Sequence, residues 1–170
     1  MVSPLAARIG ALLLGAAVLL GFVAPTASAQ SDDGLPPRYA EPMPLYPKAL
    51  GSFSRPISST NPDAQAYFDQ GVQMMYAFTP DDARRSFREA WKTDPNCAIC
   101  YWGEAWAWGP YLNGGMSTEN AGHAYRAIQQ ARKLARKHAD ANERALIEAM
   151  ATRYVKDFKP KERVFQDSLY

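Results

Sequence analysis

The chain contains two cysteines, Cys97 and Cys100, whose spacing could support thiol chemistry. A Cys-x-x-Cys pair at the start of a helix can carry out thiol–disulfide exchange, because the helix dipole lowers the pKa of a thiol placed there. The strand pattern of a thioredoxin-like context is missing around the pair, and Tyr101 stands where a c-type haem attachment requires histidine. A zinc site would need two further ligands, and the two histidines, His123 and His138, are not paired at ligand spacing.

The N-terminus bears on the state of these cysteines because it predicts export. Arg8 precedes an apolar run over residues 9–24, and Ala-Ser-Ala at residues 27–29 provides the small-x-small pattern of a cleavage site. We predict a signal peptide over residues 1–29, a periplasmic or secreted mature chain and no stable membrane span after cleavage. An uncleaved anchor helix is the alternative, although its 16 residues are short of the ~20 that span a bilayer.

Export places the cysteine pair in an oxidising compartment, which favours a disulfide between Cys97 and Cys100. Two reduced buried thiols, a redox-active pair and a metal site are the alternatives. Charge is nearly balanced, with 19 Lys and Arg against 17 Asp and Glu, so the basic footprint of a nucleic-acid-binding protein is missing. We predict no metal, no cofactor and no nucleic-acid partner.

Glu104 is a single acidic residue on the predicted packing side of its helix. No second carboxylate or nucleophile is spaced with it as general acid–base catalysis would require. We therefore expect Glu104 to form an ion pair with a basic residue, the candidates being Arg84, Arg85 and Arg126, and we predict that the protein is not an enzyme.

Helix-start signals define the elements that must position these residues. Such signals occur at Asn61-Pro62-Asp63, Thr79-Pro80, Asp94-Pro95, Ser117-Thr118 and Asp140 with Glu143. They predict a first helix from 62, a second to about 93, a third to about 109, a fourth to about 138 and a fifth to about 157. Pro160 begins a sixth.

Large and small residues recur in these helices at fixed offsets. Tyr101 and Ala105 lie 34 residues after Tyr67 and Gly71, whereas Ala124 and Ile128 lie 41 residues after their counterparts in the second helix, Ala83 and Phe87. The difference of seven predicts an inserted loop from Gly109 to Ser117 within an otherwise intact repeat. Small residues permit close helix approach, and the large ones fill the space beside them.

This order and spacing resembles the tetratricopeptide repeat over residues 62 to about 157, with Gln70 standing where leucine is usual. The resemblance implies an all-α fold in which antiparallel helix pairs stack as a short α-solenoid. The chain is also similar to a group of long secreted bacterial repeat proteins of unassigned activity, on the combination of Tyr76-Ala77-Phe78, Ser86-Phe87, Asp94-Pro95 and residues 97–103. Residues 158–170 are then expected to be the start of a further helix in a shortened chain.

Residues 30–61 differ in character from the helical region because they are rich in proline, which disfavours helix. A disordered linker is one interpretation of this composition. The other is an arm that docks on the helices, because apolar residues recur between Leu45 and Ile57.

Aromatic residues suggest a binding surface. In tetratricopeptide proteins one face of each first helix lines a concave peptide groove, and the matching positions of this chain are Phe68, Val72, Met75, Tyr76, Trp102 and Trp106. We hypothesise an exported, non-enzymatic scaffold that binds a protein or peptide segment, or its own proline-rich arm, through this groove. The alternative is an exported thiol–disulfide or metal-binding protein that uses Cys97 and Cys100.

Overall fold

The computed structural model describes residues 34–39, 41–112 and 114–170, so the predicted signal peptide lies outside the described residues. The described residues form six α-helices: α1 (Pro62–Tyr76), α2 (Pro80–Thr93), α3 (Ala98–Trp108), α4 (Thr118–His138), α5 (Ala141–Arg153) and α6 (Arg163–Leu169). Two 3₁₀ turns, Pro37–Tyr39 and Pro160–Glu162, complete the regular structure of this part of the chain. The prediction of an all-α fold is confirmed.

Local capping sets most helix starts where the sequence predicted them. The Asn61 side chain accepts hydrogen bonds from the backbone of Asp63 and Ala64, and Ser117 accepts one from Asn120. Thr79 was expected to cap α2 in the same way, but its hydroxyl donates to the carbonyl of Met74 at 3.2 Å instead. The Thr79 hydroxyl bonds to α1 because the Thr79 backbone also does so, with its N–H donating to the same Met74 carbonyl at 3.0 Å.

The start of α5 departs from the expected capping box. Asp140 accepts from the Glu143 backbone at 2.8 Å, as predicted, but the Glu143 carboxylate does not reach back to Asp140. Ser58 lies between them: its hydroxyl accepts from the Asp140 backbone at 3.1 Å, and its backbone N–H donates to Glu143 at 2.7 Å. A residue that precedes α1 therefore completes the cap of α5.

The fifth helix ends earlier than predicted, at Arg153. Tyr154 adopts an extended backbone conformation, and only 1% of it is exposed. A Cβ added to Gly109 would overlap the Tyr154 hydroxyl. Helix α5 stops here because turning the chain buries this large ring beside the end of α3.

Each helix packs on the next one along the chain from α1 to α5, and α3 also contacts both α1 and α5. The ring of Phe87, on α2, lies against two helical glycines, one on α1 and one on α3. A Cβ on Gly71 of α1 would lie 2.6 Å from the ring, and a Cβ on Gly103 of α3 would lie 2.5 Å from its Cε1 atom. The missing side chains let three helices meet around one fully buried aromatic ring.

The nine residues from Gly109 to Ser117 connect α3 to α4. Ala105 before this segment and Ala124 and Ile128 after it are completely buried. The segment makes its own backbone pairing between Tyr111 and Gly114. The inserted residues therefore sit between two helices that still pack extensively on each other.

The proline-rich segment from Pro36 to Ser59 makes repeated contacts with the helices. Tyr39 and Met43 are buried, at 4% and 2% exposure. The Tyr67 hydroxyl donates to the Met43 carbonyl at 2.9 Å, and Ser59 donates to the Asp94 carboxylate. We call residues 36–57 the arm.

Candidate functional site

Cys97 and Cys100 form a disulfide at the start of α3. Only 2% of Cys97 and none of Cys100 is exposed. Thiol–disulfide exchange needs direct attack of a thiolate on a disulfide sulfur, and burial of both residues blocks that approach in this conformation. Among the described residues, no group of three or more His, Cys, Asp or Glu is placed to hold a metal ion.

The predicted concave groove is largely closed. Of its six residues, Phe68, Val72, Met75 and Trp102 are buried, at 0%, 6%, 4% and 8% exposure. Phe68 packs on Phe87, with ring centroids 5.6 Å apart. Since α1 packs on α3 as well as on α2, apolar side chains on this side of α1 belong to the core. These four residues do not line an open groove.

The other two groove residues lie at a surface. Tyr76 is 73% exposed and approaches the half-buried ring of Trp106 edge-on, at 6.1 Å between centroids. Trp106 in turn contacts Trp102, at 5.6 Å. The predicted set is therefore split between the core and one exposed pair.

A second aromatic pair also lies at the surface, with one exposed and one half-buried ring. Phe78 is 61% exposed and meets Tyr111 edge-on at 5.6 Å. The Tyr111 hydroxyl donates to the carbonyl of Met75 at 3.4 Å, which ties the segment after α3 to the end of α1. Leu112 follows with 80% exposure. We call Tyr76, Phe78, Trp106, Tyr111 and Leu112 the aromatic surface.

Phe78 holds its exposed position through an unfavourable backbone conformation. Its φ is +64°, the one positive φ of a non-glycine residue among the described residues. Helix α1 ends in a Schellman motif, with Thr79 N–H bonded to the Met74 carbonyl at 3.0 Å and Phe78 N–H to the Met75 carbonyl at 3.3 Å. Glycine is the usual residue at this left-handed position, because a side chain there costs ~1–2 kcal/mol.

Sequence reasoning missed Phe78, Tyr111 and Leu112. One signal for Phe78 was available: the segment Tyr76-Ala77-Phe78-Thr79 joins two helices without the glycine that normally ends a helix. Tyr111 and Leu112 lie in the inserted segment, where the repeat pattern makes no prediction.

Glu104 has partners other than those predicted. Its carboxylate accepts from Arg88 and from the Trp91 indole, each at 2.7 Å, and from the Trp108 indole at 3.3 Å. None of the three expected partners, Arg84, Arg85 and Arg126, occupies this place. Glu104 is 5% exposed, and the Arg88 guanidinium and the two indole N–H groups compensate its buried charge.

Arg84 and Arg126 have other contacts. The Arg84 guanidinium lies 4.2 Å from the centroid of the Trp108 ring and donates to the Ala107 carbonyl at 2.8 Å. Tyr39 of the arm stacks on the same Trp108 ring at 5.6 Å. Arg126 lies 2.6 Å from the His123 ring nitrogen Nδ1. The contacts of Arg84 and Tyr39 hold the end of α3 at Trp108, and the Arg126 contact lies within α4.

Within the described part of the chain, no helix is both long enough and apolar enough to cross a membrane. Comparison with known proteins found no matching family model, no matching curated protein and no matching solved structure.

Proposed function

We propose that this protein is an exported, non-enzymatic binding module of the tetratricopeptide type, and that it holds an apolar segment of a partner protein on the aromatic surface. The observation that carries the proposal is Phe78, which keeps a strained backbone and an exposed ring in contact with Tyr111 at the surface. Strained residues persist where the surrounding structure enforces them, and they concentrate at functional sites.

The helix contacts support a stacked-repeat arrangement. Helices α1 with α2 and α3 with α4 make the two most extensive contacts, as successive antiparallel pairs would, and α3 joins the first pair to α5. In such a stack each pair buries its apolar face against its neighbours. Exposed aromatic residues do not contribute to packing in such a core, and a cluster of them is typical of a protein-binding site.

The binding proposal is tested by selecting ligands from a random displayed peptide library with the mature chain, residues 30–170. We expect selected peptides to carry apolar anchors and to lose at least about tenfold in affinity for a Tyr76→Ala chain. Phe165→Ala is the matched control, because Phe165 is 67% exposed on α6, outside the aromatic surface. Equal loss of affinity in both variants, or none in Tyr76→Ala, would refute the assignment.

Export is tested separately by expressing the full chain in a bacterial host and sequencing the N-terminus of the recovered protein. The cleavage pattern predicts a mature protein that begins at Gln30 in the periplasmic or secreted fraction. A cytoplasmic protein that retains residues 1–29 would contradict this part of the proposal.

A further inference from the structure

Two glutamines of α1 hold the backbone of the arm in the same way. The Gln70 side chain donates to the Pro44 carbonyl at 2.9 Å and accepts from the Tyr46 N–H at 2.7 Å. The Gln65 side chain donates to the Arg55 carbonyl at 2.8 Å and accepts from the Ile57 N–H at 3.1 Å. Each amide therefore pairs with the carbonyl of one residue and the N–H of the residue two places later.

This spacing is the signature of extended chain. In an extended segment the carbonyl of residue i and the N–H of residue i+2 point to the same side, so one carboxamide can bind both. The residue between them is turned away, and proline fits there because its missing N–H is not needed. Proline occupies that place at Pro56.

Further contacts between α1 and the arm are also made to the backbone. Gln73 donates to the Phe53 carbonyl at 2.7 Å, and the Asp69 carboxylate accepts from the Arg55 N–H at 3.0 Å. Several arm side chains project into solvent, including Tyr46 at 43% exposure and Phe53 at 52%. Recognition of a backbone depends little on sequence. The side-chain contacts of the arm that do depend on it include the buried Tyr39 and Met43 and the Ser54 hydroxyl, which donates to Asp69 at 2.6 Å.

We propose that α1 carries a peptide-binding site in which Gln65 and Gln70 each hydrogen-bond extended backbone. The arm fills this site within the same chain, and an extended, proline-containing segment of another polypeptide takes its place. The arm then acts as an internal competitor. Of the three residues held by each glutamine, proline is accepted at the middle place and excluded at the third, where an N–H must donate. At the first place proline fits at Gln70, where Pro44 stands, but not at Gln65, because the Arg55 N–H donates to Asp69. This site is separate from the aromatic surface, so the two proposals fail independently.

The test uses a fluorescent peptide with the sequence of residues 42–57 and measures its anisotropy with the full mature chain. Because a tethered segment competes at an effective concentration of about millimolar, we expect weak binding to the wild type. The double substitution Tyr46→Pro with Ile57→Pro removes the two donating N–H groups of the arm. That chain should bind the peptide at least about tenfold more tightly, since the loss of each hydrogen bond weakens the internal competitor.

The roles of Gln65 and Gln70 are tested in the chain that carries Tyr46→Pro and Ile57→Pro. Adding Gln65→Ala and Gln70→Ala should abolish binding, whereas Gln129→Ala with Gln130→Ala on α4 should leave it unchanged. A peptide in which proline replaces the residues corresponding to Tyr46 and Ile57 should not bind. Peptide binding that is no tighter with the weakened arm, or that survives loss of Gln65 and Gln70, would overturn the proposal.

Hydrogen exchange on the wild-type chain gives a readout that needs no variant. Excess unlabelled peptide should speed exchange of the Tyr46 and Ile57 amides while the amides of α4 stay protected. Unchanged protection at saturating peptide would contradict displacement of the arm. Phe78→Gly should alter none of these results, which separates this site from the aromatic surface.

Discussion

Gly103→Ala should destabilise the fold, because it adds a methyl group where α1, α2 and α3 meet around the Phe87 ring. In Gly103→Ala the new Cβ would lie 2.5 Å from Cε1 and 2.8 Å from Cγ of the Phe87 ring, against the ~3.5–4.0 Å of a comfortable carbon contact. The ring would have to move by about 1 Å. It cannot move away easily, because the ring is fully buried and its Cδ1 and Cε1 atoms also lie against Gly71 of α1, where a Cβ would be 2.6 Å from Cε1.

Two opposing effects set the magnitude. Overpacking a filled core costs ~1–3 kcal/mol, and the upper part of that range applies because Phe87 has no exposed surface. Alanine also regains up to ~1 kcal/mol of helix propensity over glycine. We expect Gly103→Ala to lower the free energy of unfolding by about 2 kcal/mol.

Gly122→Ala is the matched control, because Gly122 is also a helical glycine but a Cβ there would meet only the flexible end of Arg126, at 3.5 Å. This variant should gain ~0.5–1 kcal/mol from helix propensity alone. Urea unfolding of both chains, followed by circular dichroism, measures the difference of about 3 kcal/mol. Equal midpoints for the two variants would refute the three-helix contact, and Phe87→Leu should relieve most of the cost of Gly103→Ala.

Three further predictions concern other parts of the molecule. Phe78→Gly should raise the free energy of unfolding by about 0.5–1 kcal/mol in urea titrations, because glycine adopts positive φ without the side-chain penalty. Glu104→Gln should lower it by about 2–3 kcal/mol, because a carboxamide cannot accept from both Arg88 and Trp91 as the buried carboxylate does, whereas Glu148→Gln at an exposed ion pair should change it by less than about 1 kcal/mol. Burial raises the pKa of Tyr154 to about 12 from 10.0, so the neutral phenol favours the fold below pH 10. That contribution of about 2–3 kcal/mol is lost as the pH rises from 10 to 12, and Tyr154→Phe should remove this pH dependence.

The sequence predicted the helices well because their boundaries depend on near neighbours. Asn61, Ser117 and Asp140 each cap a helix through the backbone of a residue two or three places later. The inserted segment after Gly109 was equally visible, since a constant offset between repeats depends only on chain positions. Such local signals survive without knowledge of the tertiary structure.

Contacts between distant residues were not predictable in the same way. Ser58 caps α5 across 85 residues of sequence from Glu143, and no local pattern links the two. Glu104 had several arginines within reach on the sequence, and only the rotation of α2 against α3 selects Arg88. The predicted groove failed for the related reason that helix periodicity identifies an apolar face without saying whether another helix covers it.

The arm shows why polar residues are hard to interpret from sequence. Gln65 and Gln70 look like ordinary solvent-facing or substituted positions of a repeat, yet each binds extended backbone. A glutamine carries two donors and an acceptor that serve solvent and peptide equally well. Only the path of the arm distinguishes these uses.

The proposed binding of a partner segment to the aromatic surface is tested by Phe78→Gly. For a peptide selected on the mature chain, the dissociation constant should rise by about tenfold or more in Phe78→Gly, while the same variant unfolds at equal or higher urea concentration. A loss of binding cannot then be attributed to a weakened fold. An unchanged dissociation constant for the selected peptides would contradict the claim.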